Sequence, residues 1–133
     1  MKVLVDTCVW SLALRHRSPD KDIEIKLREL IQDGRLAIIG PIRQEILSGI
    51  SKEGQFESLK QFLEPFEDIL LNSNHFIKAA EFSNICLKKG IQGSNTDFLI
   101  CAVAYMENLH VFTTDNDFEN YAKHLPFSLF ERN

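Results

Sequence analysis

Cysteine is scarce in this chain: Cys8, Cys86 and Cys101 are the three in 133 residues. Their number is odd, and their spacing matches neither a CxxC pair nor a zinc ligand set. That excludes a disulfide framework and a structural zinc site. Reduced, buried thiols in a cytoplasmic protein are expected. Long hydrophobic runs are missing as well. The longest, Phe98 to Met106, is too short to span a bilayer. Only Met1 and Lys2 precede the first apolar run, so no signal segment is expected. Basic charge is not in surplus. The net charge is −4, which rules out a broad positive field for nucleic acid. A polyanion would need a local basic patch or a bound cation. No glycine-rich phosphate loop follows the first apolar run, against a Rossmann or flavodoxin reading. Repeats, low-complexity stretches and long linkers are absent. The length fits one domain, 1–133, with an ordinary apolar and charged content.

What is present alternates between two periodicities. Val3-Leu4-Val5 is a short β-branched apolar run that suits a strand buried on both faces. Thr7 to Leu14 reads as a helix. A second helix starts near Asp20 or Asp22, with Ile23, Leu27, Leu30 and Ile31 at helical spacing and Gly34 as its stop. Leu36 to Ile39 is a second strand. Gly40-Pro41 opens a helix carrying Ile42, Glu45, Ile46 and Gly49, with Ile42, Ile46 and Ile50 on its core face. Phe56, Leu59, Phe62 and Leu63 mark another helix, ended at Glu64-Pro65. Ile69 to Leu71 reads as a weak third strand. A long helix from Ser73 to Lys89 follows, its inner residues being Phe76, Ala79, Ala80, Phe82, Ser83 and Cys86. Ser94 and Asp97 resemble a capping box ahead of Phe98 to Met106, a helix apolar nearly all round and therefore central. His110 to Thr113 is a fourth strand and Phe127 to Phe130 a short last one. The alternation predicts an α/β fold, a three-layer α/β/α sandwich with a mainly parallel central sheet.

In such sheets ligands bind beyond the carboxyl ends of the strands. Acidic residues gather at that edge. Asp6 and Asp115 follow strands, Glu45 lies about one turn into the helix after a strand, and Asp97 begins the apolar helix. Taken singly, each has an ordinary reading: Asp6 as a helix cap, Asp97 as a first-turn acid, Glu45 as an exposed helix acid, Asp117 as an N-terminal helix acid. Taken together they would repel one another unless a divalent cation joined them. Oxygen-only ligands favour Mg²⁺ or Mn²⁺ over Zn²⁺. The implied chemistry is hydrolysis of a phosphodiester by a metal-activated water. The four histidines show no ligand spacing and read as surface residues. Trp10 reads as core or interface. Arg15, Arg17, Lys88 and Lys89 are candidate phosphate contacts, although charged helix ends are commonly just solvated.

The set resembles the PIN-domain ribonucleases, specifically the VapC-like toxins of type II toxin–antitoxin pairs. The resemblance covers essentially the whole chain. Its carriers are Val3-Leu4-Val5-Asp6-Thr7, the Glu45 helix with Gly49, Thr96-Asp97-Phe98-Leu99-Ile100-Cys101-Ala102, and Thr113-Thr114-Asp115-Asn116-Asp117-Phe118. By that resemblance Asp6, Glu45, Asp97 and Asp115 match the acidic quartet, and Asp117 a frequent fifth acid. It implies a PIN-like sandwich, an Mg²⁺-dependent endoribonuclease, a homodimer and a cognate antitoxin. Asp6, Asp97, Asp115 and Asp117 would hold the metal. Glu45 would orient or deprotonate the attacking water, and Thr7 and Asn95 would support ligands or waters from behind. Cys8 departs from the small or polar residue usual after the Asp-Thr pair. A haloacid-dehalogenase phosphatase would need an acid at Cys8, and a receiver domain an acceptor Asp in mid-chain and a late Lys; both patterns fail. The alternative is a PIN-like housekeeping nuclease or an RNA- or protein-binding module with no toxin role.

Overall fold

The computed structural model describes residues 1–14 and 18–130. Strand β1 (Val3–Val5) leads into α1 (Thr7–Ala13) and α2 (Lys21–Gln32), then β2 (Leu36–Ala37), α3 (Gly40–Leu47), α4 (Glu53–Leu63), α5 (Ser73–Lys88) and α6 (Asn95–Met106). Strand β3 (His110–Phe112), α7 (Asp117–Ala122) and β4 (Ser128–Leu129) complete the chain. The sheet order is β2-β1-β3-β4, and every pairing is parallel. In register, Val3, Leu4 and Val5 face His110, Val111 and Phe112. All three residues of β1 are fully buried, which requires helices over both faces of the sheet. The chain therefore forms a three-layer α/β/α fold with a parallel sheet.

The order of the strands matters for chemistry. From β1 the chain moves outward to β2, then crosses back to β3 and on to β4. The direction of winding reverses between β1 and β3. A crevice opens at such a switch point, beyond the carboxyl ends of the two strands. The residues that leave those ends are Asp6 and the segment Thr113 to Asp115.

Sequence periodicity placed most elements. Asp20 caps α2, its carboxylate accepting the Ile23 N–H at 3.2 Å. Helix α6 buries seven consecutive residues from Phe98 to Ala104. Several expectations need correction. No strand forms at 69–71. A single bridge joins Ile38 to Asp68, and the Ile69 N–H donates to the Ile38 carbonyl at 2.9 Å. Leu70 is 87% exposed, so this outer segment has no second layer to bury against. The chain is held there by Arg43 instead. Its guanidinium donates to the Leu63 carbonyl at 2.9 Å and to the Phe66 carbonyl. It also pairs with Asp68 at 3.0 Å. The α3 helix stops at Leu47, short of Gly49, which takes a left-handed φ of +84° and leaves Ile50 only half-buried.

Helix α5 is rotated by about one position from the expected stripe. Its buried residues are His75, Ala79, Phe82 and Cys86, at spacings of four, three and four. Phe76 and Ala80 face outward and Ser83 is half-buried. His75 is thus not a surface residue. Its Nδ1 accepts the Asn72 N–H at 3.1 Å, closing a reciprocal cap on α5. Its Nε2 lies 3.5 Å from Glu107. Among the other histidines His110 is half-buried and His124 exposed. His16, with Arg15 and Arg17, lies outside the described residues. Cys86 and Cys101 are buried free thiols, whereas Cys8 is only half-buried. Trp10 belongs to the core. Among the described residues no helix is long and apolar enough to cross a membrane.

Candidate active site

Asp6 is both a cap and a cleft residue. It is 8% exposed, and its Oδ1 accepts the Thr7 N–H at 2.8 Å, starting α1. Its Oδ2 accepts the Thr113 hydroxyl at 2.8 Å. That bond reaches across the switch point from the end of β1 to the end of β3. The Cys8 thiol stands 3.4 Å from the same oxygen and accepts the Thr114 hydroxyl at 3.2 Å. Asp115, half-buried, donates its N–H to Thr113 Oγ1 at 3.0 Å. Its carboxylate accepts the Asp117 N–H at 2.9 Å. Two adjacent parallel strands thus deliver two acids to one place and cross-brace them with a threonine.

The other two acids arrive on helices. Asp97 sits in the first turn of α6, below the Ser94 cap, whose hydroxyl accepts the Asp97 N–H at 3.1 Å. The half-buried Asp97 carboxylate accepts the Tyr121 hydroxyl at 2.8 Å. Glu45 is exposed, midway along α3. Burial pushes the Glu45 carboxyl above its usual range and the nearby Asp6 charge pushes it further; the Thr7 hydroxyl opposes this, and Asp97 adds to it. Thr7 lies beside Glu45 without completing a bond, since Thr7 Oγ1 is buried with no hydrogen-bond partner among the described residues. The Asp97 carboxyl is likewise held high, first by burial and then, against its bonds with Tyr121 and Ser94, by Asp6 and Asp115. Burial and the bond to Asp97 raise the Tyr121 hydroxyl, keeping it a proton donor. Asp6, Glu45, Asp97 and Asp115 therefore share one electrostatic neighbourhood.

Asp117 is exposed at the start of α7. Its charge acts on Tyr121. Asn95 is exposed at the start of α6 and lines a groove of about 500 Å³ with Pro41, Phe76 and Asn84; no hydrogen bond joins it to the acids among the described residues. Two contributors were not foreseen as such. Thr113 lies within a motif already noted, but its reach to Asp6 depends on strand order. Tyr121 is 24 residues from its partner Asp97. Its position one turn after Asp117, on the same face of α7, was the available signal.

Among the described residues no three His, Cys, Asp or Glu side chains form a group that could hold a metal ion unaided. Magnesium does not require one. It binds through one or two carboxylates, retains several waters and takes further oxygens from substrate phosphates. An all-oxygen set of mutually repelling, partly desolvated carboxylates, with an unpartnered hydroxyl at Thr7, fits such a hydrated ion.

The raised acids have a consequence for the metal-free protein. A carboxyl whose folded pKa exceeds its unfolded value stabilises the fold fully below the unfolded value. That contribution is lost as pH rises through the folded one. For Asp97 and Glu45 the ordinary values are 3.8 and 4.5. Asp97→Asn removes one such acid and keeps an acceptor for Tyr121. In EDTA the variant is expected to melt above wild type at pH 7, with the gap closing toward pH 4. Thermal melts across that range check it; a gap that widens toward low pH would contradict the assignment.

Comparison with known proteins bears on this geometry. The family model of the PIN domain matches residues 3–124. No curated protein matches by sequence. FitAcB from Neisseria gonorrhoeae superposes with a TM-score of 0.79 at 21% identity, over 98% of this chain and 97% of that one. VapBC2 from Rickettsia felis, bound to a DNA fragment from its promoter, gives 0.76 at 24%, over 98% of each chain. A toxin–antitoxin complex from Klebsiella pneumoniae gives 0.67 at 19%, over 88% of this chain and 90% of that one. These likenesses establish the fold, and with the family match they show that the chain belongs to the PIN-domain family of nucleases.

Proposed function

We propose that the protein is a metal-dependent endoribonuclease and the toxin of a toxin–antitoxin pair. The observation that carries this reading is the bond from Thr113 to Asp6 across the switch point, with Glu45 and Asp97 each raised by burial and by the Asp6 charge. Asp6 and Asp97, joined by Asp115 directly or through water and by Asp117, would hold Mg²⁺ or Mn²⁺. When bound, the ion supplies Lewis-acid charge at the scissile phosphate and acidifies a water. The chain's own part is positional. Thr113 and the Thr7 N–H hold Asp6. Tyr121 holds Asp97. Glu45, whose carboxyl is raised by burial and by the Asp6 charge, would take the proton of an attacking water. Thr7, whose Oγ1 has no hydrogen-bond partner among the described residues, and Asn95 would support ligands or waters from behind.

The partners proposed are an RNA substrate, a cognate antitoxin and a second copy of the chain. Support for the antitoxin is the likeness to a chain of the toxin–antitoxin complex from Klebsiella pneumoniae. The purified protein is expected to cleave a structured RNA with Mg²⁺ and to stop on addition of EDTA. Absence of cleavage, or cleavage indifferent to EDTA, would overturn the enzyme reading. Growth arrest on induction, cured by the neighbouring small gene, would support the toxin role; normal growth would leave a housekeeping nuclease or a binding module.

A further inference from the structure

Tyr121 is fully buried, yet its hydroxyl is aimed at a half-exposed acid, donating to Asp97 Oδ2 at 2.8 Å. Its ring is packed between Phe98 and Phe118, with centroids at 5.0 Å and 5.2 Å. Phe98 follows Asp97 directly on α6, so the stack fixes the ring relative to the helix that carries the acid. The hydroxyl also passes through a gap left by a missing side chain. A Cβ built at Gly93 would collide with the Tyr121 hydroxyl. It would also lie 2.9 Å from Tyr121 Cζ and 3.0 Å from Phe98 Cε2. Gly93 is not among the glycines with positive φ, which are Gly34, Gly49 and Gly90. Backbone conformation therefore does not call for glycine at 93; space for the tyrosine does.

We infer that Tyr121 is a positioning residue for the active-site acids: through the gap at Gly93 it fixes the rotation of the Asp97 carboxylate, so that the acid meets a divalent cation without first paying for its own ordering. This rests on the metal-centre reading above. A carboxylate that approaches its neighbours Asp6 and Asp115 has reason to swing away from them when no ion is present. A hydrogen bond from behind opposes that swing, and loss of such a support commonly weakens metal affinity or activity about 10–100-fold.

The test uses the full chain and Mn²⁺ alone, titrated calorimetrically without RNA, on wild type, Tyr121→Phe and Gly93→Ala. Tyr121→Phe keeps the aromatic stack and removes only the oxygen. Gly93→Ala keeps the oxygen and displaces it. Both are expected to bind Mn²⁺ about tenfold or more weakly, and to recover RNA cleavage as the metal concentration is raised. Recovery with metal is a readout that a merely structural role would not move. If either variant fails to fold by circular dichroism, the other carries the test, since they act from opposite sides of the same contact. Wild-type affinity in the folded variants would overturn the inference while leaving the nuclease reading intact. A wild-type protein that binds no Mn²⁺ would overturn the metal centre itself.

Discussion

Asp6→Asn is expected to lower RNA cleavage at saturating Mg²⁺ by on the order of a thousandfold, the loss of several kcal/mol of transition-state stabilisation. The fold should survive. Asparagine caps helices as well as aspartate does, and its side-chain oxygen can still accept from the Thr7 N–H or the Thr113 hydroxyl that now bind the carboxylate. The substitution removes one charge from the group that raises Glu45 and Asp97, so the metal-free variant should melt no lower than wild type. Cleavage assays and thermal melts in EDTA measure the two halves separately. A variant that cleaves normally would show that the site lies elsewhere; one that fails to fold would refute the claim that asparagine keeps the cap and the bond to Thr113.

Trp10→Ala should be the most damaging single change to the fold, costing about 3–5 kcal/mol of a total that for domains of this kind is about 5–15 kcal/mol. Trp10 is fully buried on α1, with Phe66 and Phe62 at centroid distances of 6.0 Å and 6.5 Å. It ties the helix that begins at Asp6 to the end of α4. Its indole N–H has no hydrogen-bond partner among the described residues, a deficit of about 1–3 kcal/mol for a buried donor. Trp10→Phe removes that donor along with some volume and should cost much less than the alanine change. Urea unfolding of the three proteins gives the ranking. Equal midpoints for wild type and Trp10→Ala would refute the packing account.

Where burial follows local spacing, the chain is readable from its letters. Helix α6 shows its all-round burial as an uninterrupted apolar run, and Asp20 and Ser94 mark helix starts by side-chain chemistry alone. The acids at strand ends are visible for the same reason: a β-branched run that stops at a carboxylate. What escapes is set by partners far away in sequence. The rotation of α5 is decided by its packing on α6, which is why Phe76 points outward and His75 inward. The fate of 69–71 depends on whether another layer covers it. The role of Tyr121 depends on a contact 24 residues away and on an empty volume at Gly93, and an absence of atoms leaves little trace in a sequence.

The pairing of β1 with β3 also sets when the cleft can come into being during synthesis. Thr113 reaches Asp6 across 107 positions of chain. At translation speeds of about 5–20 residues per second, a ribosome spends several seconds between making the two. For that interval the first strand waits without its central neighbour, and the acids remain far apart. Whatever catalysis the assembled cleft performs, a nascent chain that has not reached Thr113 cannot perform it. The cleft can form only once Thr113 has been made, and a binding protein made beforehand would meet it as it forms.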